Sequence, residues 1–214
     1  MNLKYGINFL VPLLAGSAIG RDALAQLADV DLTIMFTDMS GYSSATDRLG
    51  DDRAQALVRA HNQIVRRELG EHGGIEIKHT GDGVMACFLS AARALQCASA
   101  IQEAADEHNA QQPSAAIKIA VGMNTGAPIR EDGDLFGTAV ILAARACETA
   151  RGGQILVTDV VRQLSAGKGF AFRLVAEEPL EGLPEAQRLY AVETKADASA
   201  GRRHLAKTAV GGLS

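Results

Sequence analysis

Two aspartates stand where a folded chain could hold a divalent cation. Asp38 follows the apolar run Ile34–Phe36, whose β-branched and aromatic residues predict a buried strand. Asp82 stands between two glycines that separate the alternating residues 75–78 from the apolar run 84–88, which predicts a β-hairpin with an acid at its tip. Two carboxylates brought together can hold two divalent cations, an arrangement that stabilises in-line displacement at phosphorus. Asp38 alone is equally consistent with a residue that caps the following turn, and an acid in the position of Asp82 is by itself most often only part of a turn.

Several short motifs accompany these acids in a fixed order along the chain. They are Phe36-Thr37-Asp38-Met39-Ser40-Gly41, the hairpin Lys78…Gly81-Asp82-Gly83, Val121-Gly122-Met123-Asn124-Thr125-Gly126, Asp134-Leu135-Phe136-Gly137…Ala143-Ala144-Arg145, Gly152-Gly153-Gln154-Ile155-Leu156-Val157 and Gly182-Leu183-Pro184…Leu189-Tyr190-Ala191-Val192. Each motif is weak alone, but their order and spacing are specific. From about residue 31 to residue 193 the sequence resembles a class III nucleotidyl cyclase catalytic domain.

The resemblance implies an adenylate cyclase that converts ATP to 3′,5′-cyclic AMP and pyrophosphate. Asp38 and Asp82 would be the metal ligands and would hold two Mg²⁺ or Mn²⁺ ions, which bind the triphosphate and help to ionise the attacking ribose 3′-hydroxyl. Backbone amides at the start of a following helix would receive the terminal phosphates. Those amides belong to Met39, Ser40, Gly41 and Tyr42.

Lys78 and Asp134 match the positions that read the nucleotide base in this family. A lysine can donate to the adenine ring N1, and a carboxylate can accept from the 6-amino group. Guanine presents the reverse pattern, so this pair favours ATP over GTP. The resemblance also implies a head-to-tail homodimer with composite active sites, in which the metal acids come from one subunit and the base-reading pair comes from its partner. Without the resemblance, Lys78 would be a solvated hairpin residue and Asp134 a turn former.

Arg145 matches the arginine that neutralises the α-phosphate in the transition state, and the family asparagine that orients the ribose is replaced here by Ile141. Losing one positioned transition-state donor costs about 3–4 kcal/mol, or a factor of roughly a hundred to a thousand in rate. Glu181 stands where a basic residue is common. The metal and base sites are therefore expected to be intact, with a depleted transition-state apparatus.

Three functions are consistent with these residues. The first is a working, slow adenylate cyclase, and the second is a cyclase-like regulatory domain that binds nucleotide and metal with little turnover. The third is a phospho-acceptor signalling module with Asp38 at a strand end, which the strand and helix order does not favour. The sequence contains neither a GxxxxGK[ST] phosphate loop nor a GxGxxG motif.

The composition of the chain indicates which classes of binding partner are expected. The 214 residues carry a net charge of −4, with 47% apolar and 21% charged residues, which is typical of one globular domain and argues against a nucleic-acid surface. Three separated cysteines form neither a disulfide framework nor a zinc motif, so we expect reduced, buried thiols. The apolar run near the N-terminus is too short to span a bilayer as a helix, and we expect a cytoplasmic protein with no membrane partner.

Hydrophobic periodicity predicts the elements that position these residues. Helices are predicted over 51–70, 90–111, 137–149 and 160–164, and strands over 75–78, 84–88, 116–121, 155–157, 170–175 and 188–192. Residues 130–134 are predicted to form a polar turn. This mixture favours an α+β fold, and the resemblance implies a ferredoxin-like, palm-type central mixed sheet flanked by helices. We expect a catalytic domain over 31–193, between an N-terminal segment (1–30, with a short helix over 21–28) and a flexible tail (194–214).

Overall fold

The computed structural model describes residues 30–41, 50–179 and 186–193. The strands in these ranges are Leu32–Met39 (β1), Ile75–His79 (β2), Val84–Phe88 (β3), Ile119–Gly126 (β4), Ile129–Glu131 (β5), Asp134–Phe136 (β6), Ile155–Thr158 (β7), Phe172–Pro179 (β8) and Ala186–Val192 (β9). The helices are Asp51–His72 (α1), Ala91–Gln111 (α2), Thr138–Thr149 (α3) and Asp159–Leu164 (α4), with a 3₁₀ turn at Pro113–Ala115. The predicted N-terminal segment up to residue 29, Tyr42, Glu181 and the predicted tail lie outside the described residues.

Seven strands form one mixed sheet in the order β2-β3-β1-β4-β7-β9-β8. Neighbouring strands are antiparallel except for β4 and β7, which are parallel. The strands β5 and β6 pair separately as a small hairpin. The predicted α+β class, with a central mixed sheet flanked by helices, is confirmed.

The two faces of the sheet carry different helices. Alternation along β1 places Met35 and Met39 in a core shared with α1 and α2, whereas Leu32 and Ile34 pack in a core shared with α3. Asp38 lies four residues after Ile34 on the same strand. In this alternation its side chain is therefore on the face of the sheet that α3 covers. The candidate site is therefore built on the α3 face of the sheet.

Several element bounds differ from the sequence prediction. Gly70 does not end α1: it lies inside the helix, which continues to His72 and ends at Gly73 in the left-handed conformation (φ 72°). The strand predicted over 116–121 begins at Ile119 and continues to Gly126, because it pairs with β1 along its whole length. The predicted polar turn is instead the β5–β6 hairpin, with Asp132 at φ 51° in its bend.

The described helices do not include one that is long and apolar enough to cross a membrane.

Candidate active site

The hairpin between β2 and β3 brings Asp82 to Asp38. Val84 pairs with Thr37, and the Val84 amide donates to Thr37 Oγ1 at 3.1 Å. A Cβ at Gly83 would lie 2.0 Å from the Thr37 carbonyl oxygen, so the hairpin approaches β1 more closely than any side chain would allow. This close approach places Asp82 against Asp38, the residue that follows Thr37.

The two carboxyl groups interact directly. Burial raises the pKa of Asp38, and the negative charge of Asp82 and a side-chain hydrogen bond with it raise the pKa further, against a lowering effect of the Met39 amide. Two adjacent carboxyl groups suit a divalent cation, because the cation neutralises their negative charge and oxygen is the ligand that Mg²⁺ and Mn²⁺ prefer. Within the described residues, no group of three or more His, Cys, Asp or Glu side chains adds further ligands.

Three of the four predicted phosphate-binding amides lie in the described residues. The Met39 amide donates to the Asp38 carboxyl, and the Ser40 amide donates to the Lys118 carbonyl oxygen at 2.9 Å. Gly41 has φ +81° and is exposed, whereas Tyr42 is outside the described ranges. A phosphate at the Met39 or Ser40 amide would therefore compete with an existing hydrogen bond.

Lys78 and Asp134 contact each other although they are 56 residues apart. Lys78 Nζ lies 2.5 Å from Asp134 Oδ2 and 5.6 Å from the centre of the Phe136 ring. Burial raises the pKa of Asp134, but hydrogen bonds from Lys78 and the Leu135 amide, together with the Lys78 charge, outweigh it and lower the pKa overall. The two predicted base-reading residues are thus adjacent, and both side chains are partly exposed.

The helix α3 carries both Ile141 and Arg145, which are one turn apart on its surface. Ile141 is 42% exposed, so its side chain lies on the surface of the helix. Arg145 Nη1 lies 2.6 Å from Glu148 Oε2, and the charge of Glu148 also raises the pKa of Asp38. The end of α3 therefore lies near the two acids, with its arginine held by an ion pair.

The three cysteines are free and buried, as the sequence predicts. Burial raises the pKa of Cys87 and of Cys147 to about 12. Burial also raises the pKa of Cys97. Because the thiolate is the nucleophilic form, these thiols are part of the core and are not candidates for covalent chemistry.

Sequence reasoning missed one residue that contacts the β2–β3 hairpin. Arg66 lies on α1, which the periodicity identified only as a packing helix, and its guanidinium binds Glu76 and His79 of β2. No local motif marks Arg66, because the contact depends on how α1 lies across the sheet.

Comparison with known sequences identifies relatives of this chain. The family model described as the adenylate and guanylate cyclase catalytic domain matches residues 26–194. A Rhizobium meliloti (strain 1021) protein named "Putative adenylate cyclase 3" is 35% identical over 136 residues, which cover 63% of this chain and 23% of that protein. The adenylate cyclase of Anabaena cylindrica is 26% identical over 207 residues, which cover 87% of this chain and 41% of that protein. The chain thus spans less than half the length of these two relatives.

Solved structures with the same architecture include two bacterial proteins. The adenylate/guanylate cyclase/hydrolase from Silicibacter pomeroyi is 30% identical, with a TM-score of 0.69, and the alignment covers 76% of this chain and 95% of that chain. The adenylyl cyclase CyaB from P. aeruginosa is 21% identical, with a TM-score of 0.69, and the alignment covers 78% of this chain and 96% of that chain. At that lower identity the second likeness shows the fold alone.

Proposed function

The chain belongs to the adenylate and guanylate cyclase catalytic domain family, and from this membership we propose that it is an adenylate cyclase. In the proposed reaction the ribose 3′-hydroxyl of ATP attacks the α-phosphorus, pyrophosphate leaves, and 3′,5′-cyclic AMP forms. When bound, two Mg²⁺ or Mn²⁺ ions would neutralise the triphosphate and favour ionisation of the hydroxyl. Asp38 and Asp82 are the residues that would hold them.

The observation that carries the proposal is the direct interaction of Asp38 and Asp82. The fold uses strand register and a close glycine contact to bring two carboxyl groups together, at a cost that is visible in the raised pKa of Asp38. Bringing like charges together without a counterion opposes folding. A pair of cation ligands accounts for this arrangement, whereas two turn-forming residues would not need to touch.

ATP rather than GTP is the proposed substrate because of the Lys78–Asp134 pair. The contact presents an ammonium donor beside a carboxylate acceptor, with the Phe136 ring next to the lysine. The pattern complements the N1 and 6-amino groups of adenine. In the proposed homodimer, this pair faces the metal acids of the partner subunit, so each active site needs both chains.

The second candidate function is a cyclase-like domain that binds nucleotide and metal with little turnover. The exposed Ile141 side chain favours it, because isoleucine offers no hydrogen bond to a ribose. The ion pair between Arg145 and Glu148 also favours it, since an arginine held by a carboxylate is less available to a phosphate. Retention of both metal acids favours the working enzyme.

The test is direct assay of the purified chain with ATP or GTP in the presence of Mn²⁺. Cyclic AMP formation that is abolished in an Asp38→Ala variant supports the cyclase. Binding of ATP without product, in both the wild type and an Ile141→Asn variant, supports the regulatory domain instead. Product that persists in the Asp38→Ala variant contradicts the proposed metal site.

A further inference from the structure

The strand β2 contains a β-bulge beside the proposed base-reading lysine. Ile75 and Glu76 pair with Cys87 and Ala86, but Met85 pairs with Lys78. Ile77 is therefore the extra residue of the bulge, and its side chain is buried. One inserted residue reverses the face on which every later side chain of the strand lies.

The bulge determines where Lys78 points. Directly paired residues of antiparallel strands share a face. Met85 belongs to the core on the α3 side, so its partner Lys78 also lies on that side, where Asp134 is. In a regular strand Lys78 would instead pair with Val84, whose side chain packs in the core on the α1 side. Without the bulge, the lysine would be on the wrong face of the sheet.

Arg66 binds β2 on both sides of this bulge. Its Nε donates to Glu76 Oε2 at 2.8 Å, and its Nη2 donates to Glu76 Oε1 at 2.9 Å. The same Nη2 lies 2.7 Å from His79 Nε2, which accepts because a guanidinium can only donate. Residues 76 and 79 would lie on opposite faces of a regular strand. One side chain can hold both only when the strand is bulged.

We propose that Arg66 is a positioning residue for base recognition: it fixes the bulge at Ile77 and thereby directs Lys78 to Asp134. The proposal rests on the proposed function, because it assumes that Lys78 reads the base. Arg66 lies on the α1 face, opposite the face that carries Lys78, so it acts through the strand and not on the nucleotide.

The exposure of Arg66 makes this role separable from global stability. The Arg66 side chain is 54% exposed, and an exposed ion pair contributes little to folding. The guanidinium fork binds the two carboxylate oxygens of Glu76 together, which an ammonium group cannot do. Replacing Arg66 by lysine should therefore retain the charge and lose the fixed geometry.

The first test measures the bulge directly, without activity. Hydrogen–deuterium exchange of the 75–88 hairpin should be faster in Arg66→Ala and in Arg66→Lys than in the wild type, with an unchanged melting temperature. Arg67→Ala is the matched control, because Arg67 is the adjacent arginine of α1 and binds Glu68 on the same helix. Unchanged exchange in Arg66→Ala overturns the proposal whether or not the chain is a cyclase.

The second test measures selectivity. Competition of ATP and of GTP against a fluorescent ATP analogue gives their affinity ratio, which should fall roughly tenfold or more in Arg66→Ala, as expected for a misplaced binding group. Arg67→Ala should retain the wild-type ratio. If Arg66 acts through Lys78, the Arg66→Ala/Lys78→Ala double variant should match Lys78→Ala alone.

The outcomes separate this inference from the proposed function. Wild-type protein without preference for ATP, or Lys78→Ala with the wild-type preference, refutes base reading by Lys78. A wild-type preference that depends on Lys78 but survives in Arg66→Ala overturns only the role of Arg66. Additive losses in the double variant also overturn it, because they would mean that Arg66 acts independently of Lys78.

Discussion

At the scale of single residues, we predict that Ile141 limits the proposed chemistry. Its side chain is exposed on α3, one turn before Arg145, so an asparagine there can reach a substrate without disturbing the core. We expect Ile141→Asn to raise the rate of cyclic AMP formation by about a hundred- to a thousandfold, the effect of one positioned donor. The measurement is kcat with saturating ATP and Mn²⁺.

Ile141→Leu is the control for the Ile141→Asn variant, because it changes shape and adds no donor. Rates for Ile141→Asn and Ile141→Leu that both equal the wild-type rate would show that this position does not contribute to the transition state. A parallel increase in both variants would point to packing of α3 instead of hydrogen bonding.

From the buried side chain of His61 we predict how the free energy of unfolding depends on pH. It is fully buried, and within the described part of the chain its Nε2 has no hydrogen-bond partner. Burial lowers its pKa below 6.5, against smaller opposing effects of Asn62 and Asp82. The unfolded chain therefore binds more protons than the folded chain between the two pKa values. The free energy of unfolding is therefore not reduced by His61 above about pH 6.5. It decreases as the pH falls from there toward the pKa of His61 in the folded chain, by about 1.4 kcal/mol for each unit that separates the two pKa values.

The variant that tests this is His61→Leu, which removes the titrating group. Its free energy of unfolding, measured with urea near pH 7.5 and near pH 5.5, should fall less between the two conditions than that of the wild type. Because only the difference between the two pH values is compared, any packing effect of leucine cancels. Identical differences in both proteins would mean that His61 does not titrate on unfolding.

Individual site residues differ in how far the sequence could predict them. Asp38 and Asp82 stand in recognisable strand-end and hairpin patterns, and the structure places their carboxyl groups together. The contact of Lys78 with Asp134 joins distant segments, and only the family resemblance suggested it. No pattern in the sequence identified Arg66 as a residue that contacts β2, because its partners depend on a one-residue bulge that hydrophobic alternation does not reveal.

At the scale of elements, the packing of α3 on β4 positions Arg145 and Ile141. The helix crosses β4 at Gly122, where an added Cβ would lie 2.0 Å from the Cys147 nitrogen and 2.6 Å from the Ala143 carbonyl oxygen. We expect Gly122→Ala to move α3 away from the sheet, to destabilise the fold by about 1–3 kcal/mol, and to lower cyclase activity. Denaturant unfolding and the cyclase assay measure the two effects.

Gly70→Ala is the matched control for Gly122→Ala. Gly70 lies inside α1 with no atom within 4 Å of an added Cβ, so alanine should stabilise the chain by about 0.4–1 kcal/mol and leave activity unchanged. A stable and active Gly122→Ala protein would show that the position of α3 tolerates displacement.

The elements that sequence periodicity predicted best are those with long apolar patterns. Both long helices, α1 and α2, have many buried residues at helical spacing, which fixes their existence and nearly fixes their bounds. The β5–β6 hairpin was missed because its strands have three residues each, most of them exposed or half-buried. The two strands pair through backbone hydrogen bonds on either side of a tight bend. The polar composition of residues 130–134 predicts only the turn.

At the scale of the whole molecule, the proposed homodimer divides each site between two chains. In this proposal Asp38 and Asp82 would belong to one half of a site, whereas Lys78 and Asp134 would belong to the other half. Asp38→Ala and Lys78→Ala should each be inactive alone. A heterodimer of the two variants contains one site with both lesions and one intact site, because the two-fold axis exchanges the halves.

Mixing the two variants in equal amounts should therefore restore roughly a quarter of wild-type activity, since half of the randomly formed dimers are heterodimers with one working site. A mixture of Asp38→Ala with Asp82→Ala is the control and should stay inactive, because both lesions lie in the same half. The restored activity should also fall on dilution below the dimer dissociation constant, since a single subunit lacks a complete site. Specific activity that does not change with concentration in a demonstrated monomer, or recovery in the control mixture, would contradict the shared site.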